Sequence, residues 1–257
     1  MSPSTRIKAA ALASLVAAVC VAASTTALAA PPRAVAETHE IGGGRGVSLL
    51  LSVAIVSLVP FLFLSLTAFV KISTVLQITK SAIGAQSVPS NTVVLALSGA
   101  LTLLAMAPTA TAIVDRAAPV LAEKADSPEL VVKVVEAAKE PMRAFLKANV
   151  SETELGRFLN VAKTSRPEAD RDKVHADDFS VLAPAFVVTE LTEAFAIGFL
   201  IFLPFLVLDL VVANILASLG LQTLSVSQVS LPFKLLLFVS VNGWGLLAQA
   251  LVMGYRH

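Results

Sequence analysis

The sequence has little charge. Asp, Glu, Lys and Arg make up 14% of its 257 residues, and the formal net charge is +1. A soluble domain carries about 25% charged residues, and a near-neutral balance provides no broad basic surface for nucleic acid. Hydrophobic residues make up 56% and the mean hydropathy is +0.82. This composition indicates a protein whose solvent is largely lipid.

Cysteine and histidine are also scarce. Cys20 is the one cysteine, and the three histidines, His39, His175 and His257, fall in predicted tails or loops. No Walker loop, HExxH or GxSxG pattern occurs. The sequence therefore predicts no catalytic residues, no metal site and no cofactor. A membrane enzyme is the weakest functional alternative.

The first 29 residues have the pattern of a secretory signal peptide. Arg6 and Lys8 precede a short apolar run, and Ala27-Leu28-Ala29 provides small residues for cleavage. An uncleaved N-terminal anchor is the alternative. A lipoprotein cut at Cys20 is less favoured because Val19 is bulky. A chain cleaved after Ala29 contains no cysteine, which excludes disulfides and thiolate chemistry.

N-terminal sequencing of the mature protein is expected to begin at Ala30, because the small-x-small pattern places the cut after Ala29. A chain that still begins with Met1 in the membrane would contradict cleavage and favour the anchor.

The first half of the chain predicts one helical hairpin over residues 47–114, after a flexible Pro- and Gly-rich lead-in over 30–46. Val47–Val70 carries no charge, and its 24 residues make about 36 Å of helix, enough to cross a bilayer. A polar turn at 87–91 precedes a second apolar stretch over 92–114.

Residues 115–180 differ from their surroundings, because they hold 11 Lys/Arg and 13 Asp/Glu and no long apolar run. Apolar residues at helical spacing, including Val131, Val135 and Phe158, predict a small soluble helical insert. A cleaved signal peptide would place this insert on the outer, periplasmic side of the inner membrane.

The apolar pattern returns over 181–257 and predicts a second hairpin. A polar stretch at Leu221–Ser230 is the predicted turn, between helices at about Ala194–Leu219 and Leu231–Met253. The predicted fold class is therefore an all-α membrane protein with two helical hairpins, four long apolar helices and a soluble insert. Each apolar segment contains a proline (Pro60, Pro108, Pro204, Pro232), which indicates either bent helices or ordinary membrane-helix prolines.

Charged residues interrupt the apolar segments at Lys71, Glu190, Glu193, Asp209 and Lys234. A charge at bilayer depth costs at least about 2.5–3.5 kcal/mol, so it faces protein or water. These residues therefore either form structural ion pairs or extend to the membrane surface, or they line a hydrated conduit or a subunit contact. Measured from the predicted turn, Asp209 and Lys234 differ by about 12 Å along the hairpin axis, which predicts partners in other segments or other chains.

Two long motifs resemble the signatures of the FliP/SctR family, which includes the YscR and HrcR proteins. The first is Pro232-Phe233-Lys234-Leu235 followed, after five residues, by Val241-Asn242-Gly243-Trp244. The second is Pro184-Ala185-Phe186-Val187-Val188-Thr189-Glu190-Leu191, with Gly198-Phe199 and Pro204-Phe205 after it. The resemblance covers about Leu49 to Tyr255.

This resemblance implies a core subunit of the inner-membrane export gate of flagella and injectisomes. Family members form a homo-oligomer, a pentamer, together with two smaller export-gate membrane subunits. They work beside other inner-membrane proteins of the apparatus and open a path for unfolded secreted substrates. The hairpins of such an assembly need not cross the bilayer as hydropathy suggests.

Two departures from the family pattern affect the candidate site. Where the family usually has a methionine cluster after the third helix, this chain has Leu221, Gln222, Thr223 and Leu224. We predict that these residues form an apolar constriction. The motif at Asn242 is commonly Asp-Gly-Trp in the family, so a charge is lost at this candidate polar residue.

The resemblance leaves the branch and the function class open to alternatives. The stretches 177–182 and 190–195 look more like injectisome members, whereas a signal peptide is commoner in flagellar ones. An independent transporter or channel is the less favoured function class, because such proteins usually show internal repeats and more membrane spans.

Overall fold

The described part of the chain is helical in the computed structural model. The structure describes residues 61, 64–84, 89–122 and 128–256, and no strand occurs among them. The predicted signal peptide, the lead-in and the first hairpin up to Pro60 lie outside these residues. The all-helical prediction agrees with the part of the chain that is described.

The helices of the described chain follow one another with short connections. They are α1 (Phe69–Ile83), α2 (Asn91–Ala105), α3 (Ala107–Ala122), α4 (Pro128–Asn149), α5 (Glu152–Thr164), a 3-10 turn (Glu168–Lys173), α6 (Phe179–Ser218), α7 (Val226–Ser240) and α8 (Gly243–Met253).

The chain divides into two compact units. Ala107–Phe145 belongs to the first unit and contributes α3 and most of α4. Exposed ion pairs at i,i+3 spacing line α4, where Lys139 Nζ lies 3.4 Å from Glu136 Oε1 and Arg143 pairs with Glu140. Such pairs contribute a few tenths of a kcal/mol each.

The second unit, Leu66–Met106 with Leu146–His257, holds the motifs. Within it α1 packs against α2 and α6, α5 against α6, α6 against α7, and α8 against α2 and α7. The fully buried side chains of Ile72 and Leu76 on α1 and of Leu182 and Phe186 on α6 belong to its core.

Local capping explains where several of these helices begin and end. Ser90 and Ser151 are the N-caps of α2 and α5, and their hydroxyls accept hydrogen bonds from Val93 N and Glu154 N. Ser151 and Glu154 have the Ser-x-x-Glu spacing of a capping box. The C-cap of α1 is Gly84, whose φ of 79° is a left-handed conformation that suits glycine.

The prediction of four long apolar helices is not confirmed. Among the described residues, α6 is the one helix that is by itself long and apolar enough to cross a membrane. Two bent pairs, α2 with the first part of α3 and α7 with α8, reach this length only when each pair is taken together. The count of possible spans is therefore one to three by length and composition.

The predicted single helix Leu231–Met253 is wrong. The helix ends at Ser240 and resumes at Gly243, with a bend of 56° between α7 and α8. The prolines do not make this bend: Pro232 lies inside α7 and Pro204 inside α6. The two alternatives for these prolines, bent helices and ordinary membrane-helix prolines, therefore stay open.

The predicted helix Ala194–Leu219 begins too late, because α6 starts at Phe179 and runs for 40 residues. This makes about 60 Å of helix, twice the thickness of a bilayer core. Its first turns bury Val181, Leu182, Ala185 and Phe186 completely. The apolar residues in these first turns pack within the protein. Hydropathy alone does not distinguish such a buried helical segment from a membrane span.

Candidate functional site

The candidate constriction lies at the tip of the α6–α7 hairpin. Gly220, with φ of 72°, ends α6, where Leu221 N donates to Leu216 O at 2.9 Å and Gly220 N donates to Ala217 O at 3.1 Å. This pair of hydrogen bonds is a Schellman motif, which satisfies the last carbonyls of a helix. The tip that follows is therefore a defined turn.

All four predicted constriction residues are exposed at this tip. Leu221 is 43% exposed and Leu224 is 49% exposed, and Gln222 and Thr223 between them are exposed as well. The side chains of the two leucines are thus not buried inside the hairpin. Their side chains can therefore contact another chain or another molecule.

The prediction that Asp209 and Lys234 find partners elsewhere is wrong. Lys234 Nζ lies 2.6 Å from Asp209 Oδ2, and Ser230 Oγ donates to Asp209 Oδ1 at 2.6 Å. The turn spans 219–225, earlier in the chain than the predicted Leu221–Ser230. Asp209 and Lys234 are therefore almost equally far from the helix ends, and the expected axial offset disappears.

The other predicted charges meet where α1 packs against α6. Lys71 Nζ lies 2.8 Å from Glu190 Oε1 and 2.7 Å from Glu193 Oε2. The Glu190 side chain is 0% exposed, whereas that of Glu193 is 51% exposed. The spacing of three residues does place both carboxylates on one helical face. A single lysine thus compensates two carboxylates.

Tyr255 completes this cluster and was not identified from the sequence. Its hydroxyl donates to Glu190 Oε2 and lies 3.2 Å from the carbonyl oxygen of Ala68, while Lys71 Nζ lies 4.6 Å from the centre of its ring. Burial and then the charge of Glu190 raise the pKa of Tyr255, so the phenol stays protonated as a donor. Tyr255 is the one tyrosine of the chain, the sole signal that could have indicated it.

The backbone of the residue after Tyr255 is also held, by the side chain of Asn149. Arg256 N donates to Asn149 Oδ1, and Asn149 Nδ2 donates to Arg256 O, both at 2.9 Å. Ser151 lies two residues after Asn149, and its backbone N donates to Thr189 Oγ1 at 3.2 Å. The end of the chain, the start of α5 and the Glu190 turn of α6 are thereby joined.

Asn242 does not meet any of the predicted charged residues. It lies at the bend between α7 and α8 with φ of 51° and ψ of 47° and is exposed. Asn and Asp are the non-glycine residues that best tolerate this left-handed conformation. Both Asn-Gly-Trp and Asp-Gly-Trp therefore allow the left-handed conformation at this bend. This shared tolerance explains why asparagine can stand where the family commonly has aspartate, with no role for a charge.

The described residues contain no group of three or more His, Cys, Asp or Glu that could hold a metal ion. The clusters at Glu190 and Asp209 are ion pairs inside helix packing, with Lys71 and Lys234 as the cations. Their arrangement can fix helix positions and can carry charge at an apolar depth.

Comparison with known proteins identifies the family. The FliP family profile matches residues 52–251. The chain belongs to the FliP family. It is 39% identical to the hypersensitivity response secretion protein HrcR of Ralstonia nicotianae, over 81% of this chain and 97% of that protein. The resemblance seen in the motifs is thereby confirmed.

Relatives from both branches of the FliP family are similar to this chain. The Yop proteins translocation protein R of Yersinia pestis is 38% identical over 81% of this chain and 96% of that protein. The flagellar biosynthetic protein FliP of Bacillus subtilis is 37% identical over 81% and 91%. This FliP-family chain is therefore a membrane component of a secretion or flagellar export apparatus and not an enzyme.

Proposed function

We propose that this chain is a pore-forming core subunit of a type III secretion export gate that gives unfolded proteins a path across the inner membrane. The observation that carries the proposal is the exposed apolar tip of the α6–α7 hairpin. The side chains of Leu221 and Leu224 are exposed on the turn that follows the Schellman motif at the end of α6. The same two leucines from several copies of the chain would form an apolar ring, which would exclude water from a narrow opening.

The surface of α6 and α7 supports an assembly of several chains. Large apolar side chains are exposed along both helices, among them Phe195, Phe199, Leu200, Phe233 and Leu236. Apolar surface of this extent marks contact with protein or lipid. It therefore favours one part of a larger machine over an independent transporter or channel.

The partners in this proposal are further copies of the chain, five in the family, and two smaller export-gate membrane subunits. Other inner-membrane proteins of the apparatus and unfolded secreted substrates complete the set. The chain would be a multi-pass protein of the bacterial inner membrane, with residues 115–180 facing the periplasm. The cleaved signal peptide over 1–29 is part of the same proposal.

Within the family we favour the injectisome branch. Asp177-Asp178-Phe179-Ser180 leading into α6, and the Glu190–Phe195 stretch, support this choice. A flagellar export gate is the alternative. Neighbouring genes for flagellin or for secreted effectors would distinguish the two.

The proposed constriction predicts that the double variant Leu221→Gly/Leu224→Gly conducts ions. Glycine removes the apolar ring but leaves α6 intact, because Gly220 already ends that helix. We expect a several-fold rise in conductance of the purified complex in planar bilayers, since water would no longer be excluded from the opening.

A matched control comes from the two residues between the leucines. Gln222→Gly/Thr223→Gly makes the same tip equally flexible but removes no apolar side chain, and should conduct like the unmodified complex. If the leucine variant assembles normally and conducts no more than this control, the tip is not the constriction.

A further inference from the structure

The bend between α7 and α8 involves only two residues. Val241 has φ of −87° and ψ of 6°, and Asn242 has φ of 51° and ψ of 47°. The residues on either side, Val226–Ser240 and Gly243–Met253, are helical, and the two axes differ by 56°. A change of four backbone torsions would therefore join α7 and α8 into one continuous helix.

Local preference opposes the bent form. The left-handed conformation brings Cβ close to the following carbonyl in any L-residue, and asparagine tolerates it better than others without preferring it over the right-handed one. Asn242 is the one non-glycine residue with positive φ in the described part of the chain. Packing beyond the joint must therefore hold the bend.

The Phe238 ring provides that packing. A Cβ placed on Gly243 would overlap three carbons of this ring, so the ring sits directly on the glycine backbone. Trp244 meets Phe238 edge to face with centroids 5.1 Å apart, and Phe205 of α6 lies 6.3 Å away. Aromatic pairs at these separations attract one another. The ring thus connects both sides of the bend to α6.

We propose that the α7–α8 joint has two states, and that the Phe238 ring seated on Gly243 holds the bent one. When the ring leaves this seat, Asn242 turns right-handed, the ψ of Val241 changes to a helical value, and Val226–Met253 becomes one helix. The two states of the joint do not depend on whether the tip forms a constriction.

The contacts indicate which arm moves. Tyr255 and Arg256 tie the end of α8 to Glu190 and Asn149, so α8 is the fixed arm. The ion pair between Asp209 and Lys234 ties α7 to the second half of α6. The moving arm is therefore the end of the hairpin. Pro204, which removes a backbone hydrogen bond inside α6, lies where that helix can yield.

Distances between spin labels at Gln228→Cys and Met253→Cys test the proposal, in a chain that also carries Cys20→Ser. Both positions are exposed. They lie 25 residues apart, which is about 37 Å along a straight helix. A bend of 56° shortens this separation by about 4 Å, which pulsed electron paramagnetic resonance can measure.

The labelled chain with no further substitution should show the short distance. Adding Gly243→Ala should move most of the population to the long distance. Asn242→Gly should keep the short distance, because glycine accepts the left-handed conformation freely. Asn242→Ala leaves the ring seat intact, penalises the bend at its own position and should add a long component.

The result that would overturn the proposal is a short distance in both alanine variants when their circular dichroism matches that of the unmodified chain. The bend would then be a rigid feature of the fold. Because Asn242→Ala places no atom against Phe238, it distinguishes a two-state joint from a rigid one even where Gly243→Ala does not fold.

Discussion

Lys71→Met is expected to lower the free energy of unfolding by about 3–5 kcal/mol, the usual cost of removing one partner of a buried ion pair. The variant keeps the apolar stem of the side chain but leaves the fully buried Glu190 without its cation. It also brings Glu190 and Glu193 together with no charge between them. Thermal or denaturant unfolding of the detergent-purified protein measures the loss.

Two further variants show whether the loss comes from the unpaired charge. Lys139→Met removes an exposed lysine that pairs with Glu136 at 3.4 Å and should change stability by less than about 0.5 kcal/mol. Lys71→Met/Glu190→Gln should recover part of the stability, because a neutral amide costs less to bury than a carboxylate. A single variant as stable as the Lys139 control would show that the cluster contributes little.

Gly198→Leu is expected to destabilise the protein by about 3 kcal/mol, near the upper end of the usual cost of overpacking. A Cβ at Gly198 would already lie 2.6 Å from Ile78 Cδ1 and 2.8 Å from Ile78 Cγ2, where α6 packs against α1. The larger leucine must displace Ile78 and separate the two helices. The melting temperature and the yield of folded protein measure the effect.

Gly99→Leu is the matched control in α2. A Cβ at Gly99 would meet nothing within 4 Å, and leucine favours a helix over glycine by up to about 1 kcal/mol. We therefore expect the control to be neutral or more stable. Equal losses in the two variants would mean that the close approach of α1 and α6 at Gly198 does not set the stability.

The sequence motifs determined the family, because residues in two long signatures match at the right separation. The helical class also followed from sequence, since long apolar runs interrupted by turns leave helices as the main choice in lipid. The shared face of Glu190 and Glu193 followed from helical periodicity. These inferences rest on composition and local spacing, which a sequence states directly.

Helix bounds and pairings were decided by the tertiary structure. The sequence placed the start of this helix at about Ala194, whereas α6 begins at Phe179 and packs Phe186 inside the protein. The turn was centred too late, so the contact between Asp209 and Lys234 was excluded although the two atoms lie 2.6 Å apart. An error of a few residues at a turn displaces every pair across a hairpin.

Long-range contacts were the least accessible to sequence reasoning. Tyr255 reaches Glu190 across 65 positions of the chain, and no local pattern connects them. The bend at Asn242 depends on the Phe238 ring and on the missing Cβ of Gly243. The sequence by itself determined the family, the helical class and which residues carry charge into apolar segments. The tertiary structure decided which of those charges meet and where the helices break, because both depend on packing between elements distant in the chain.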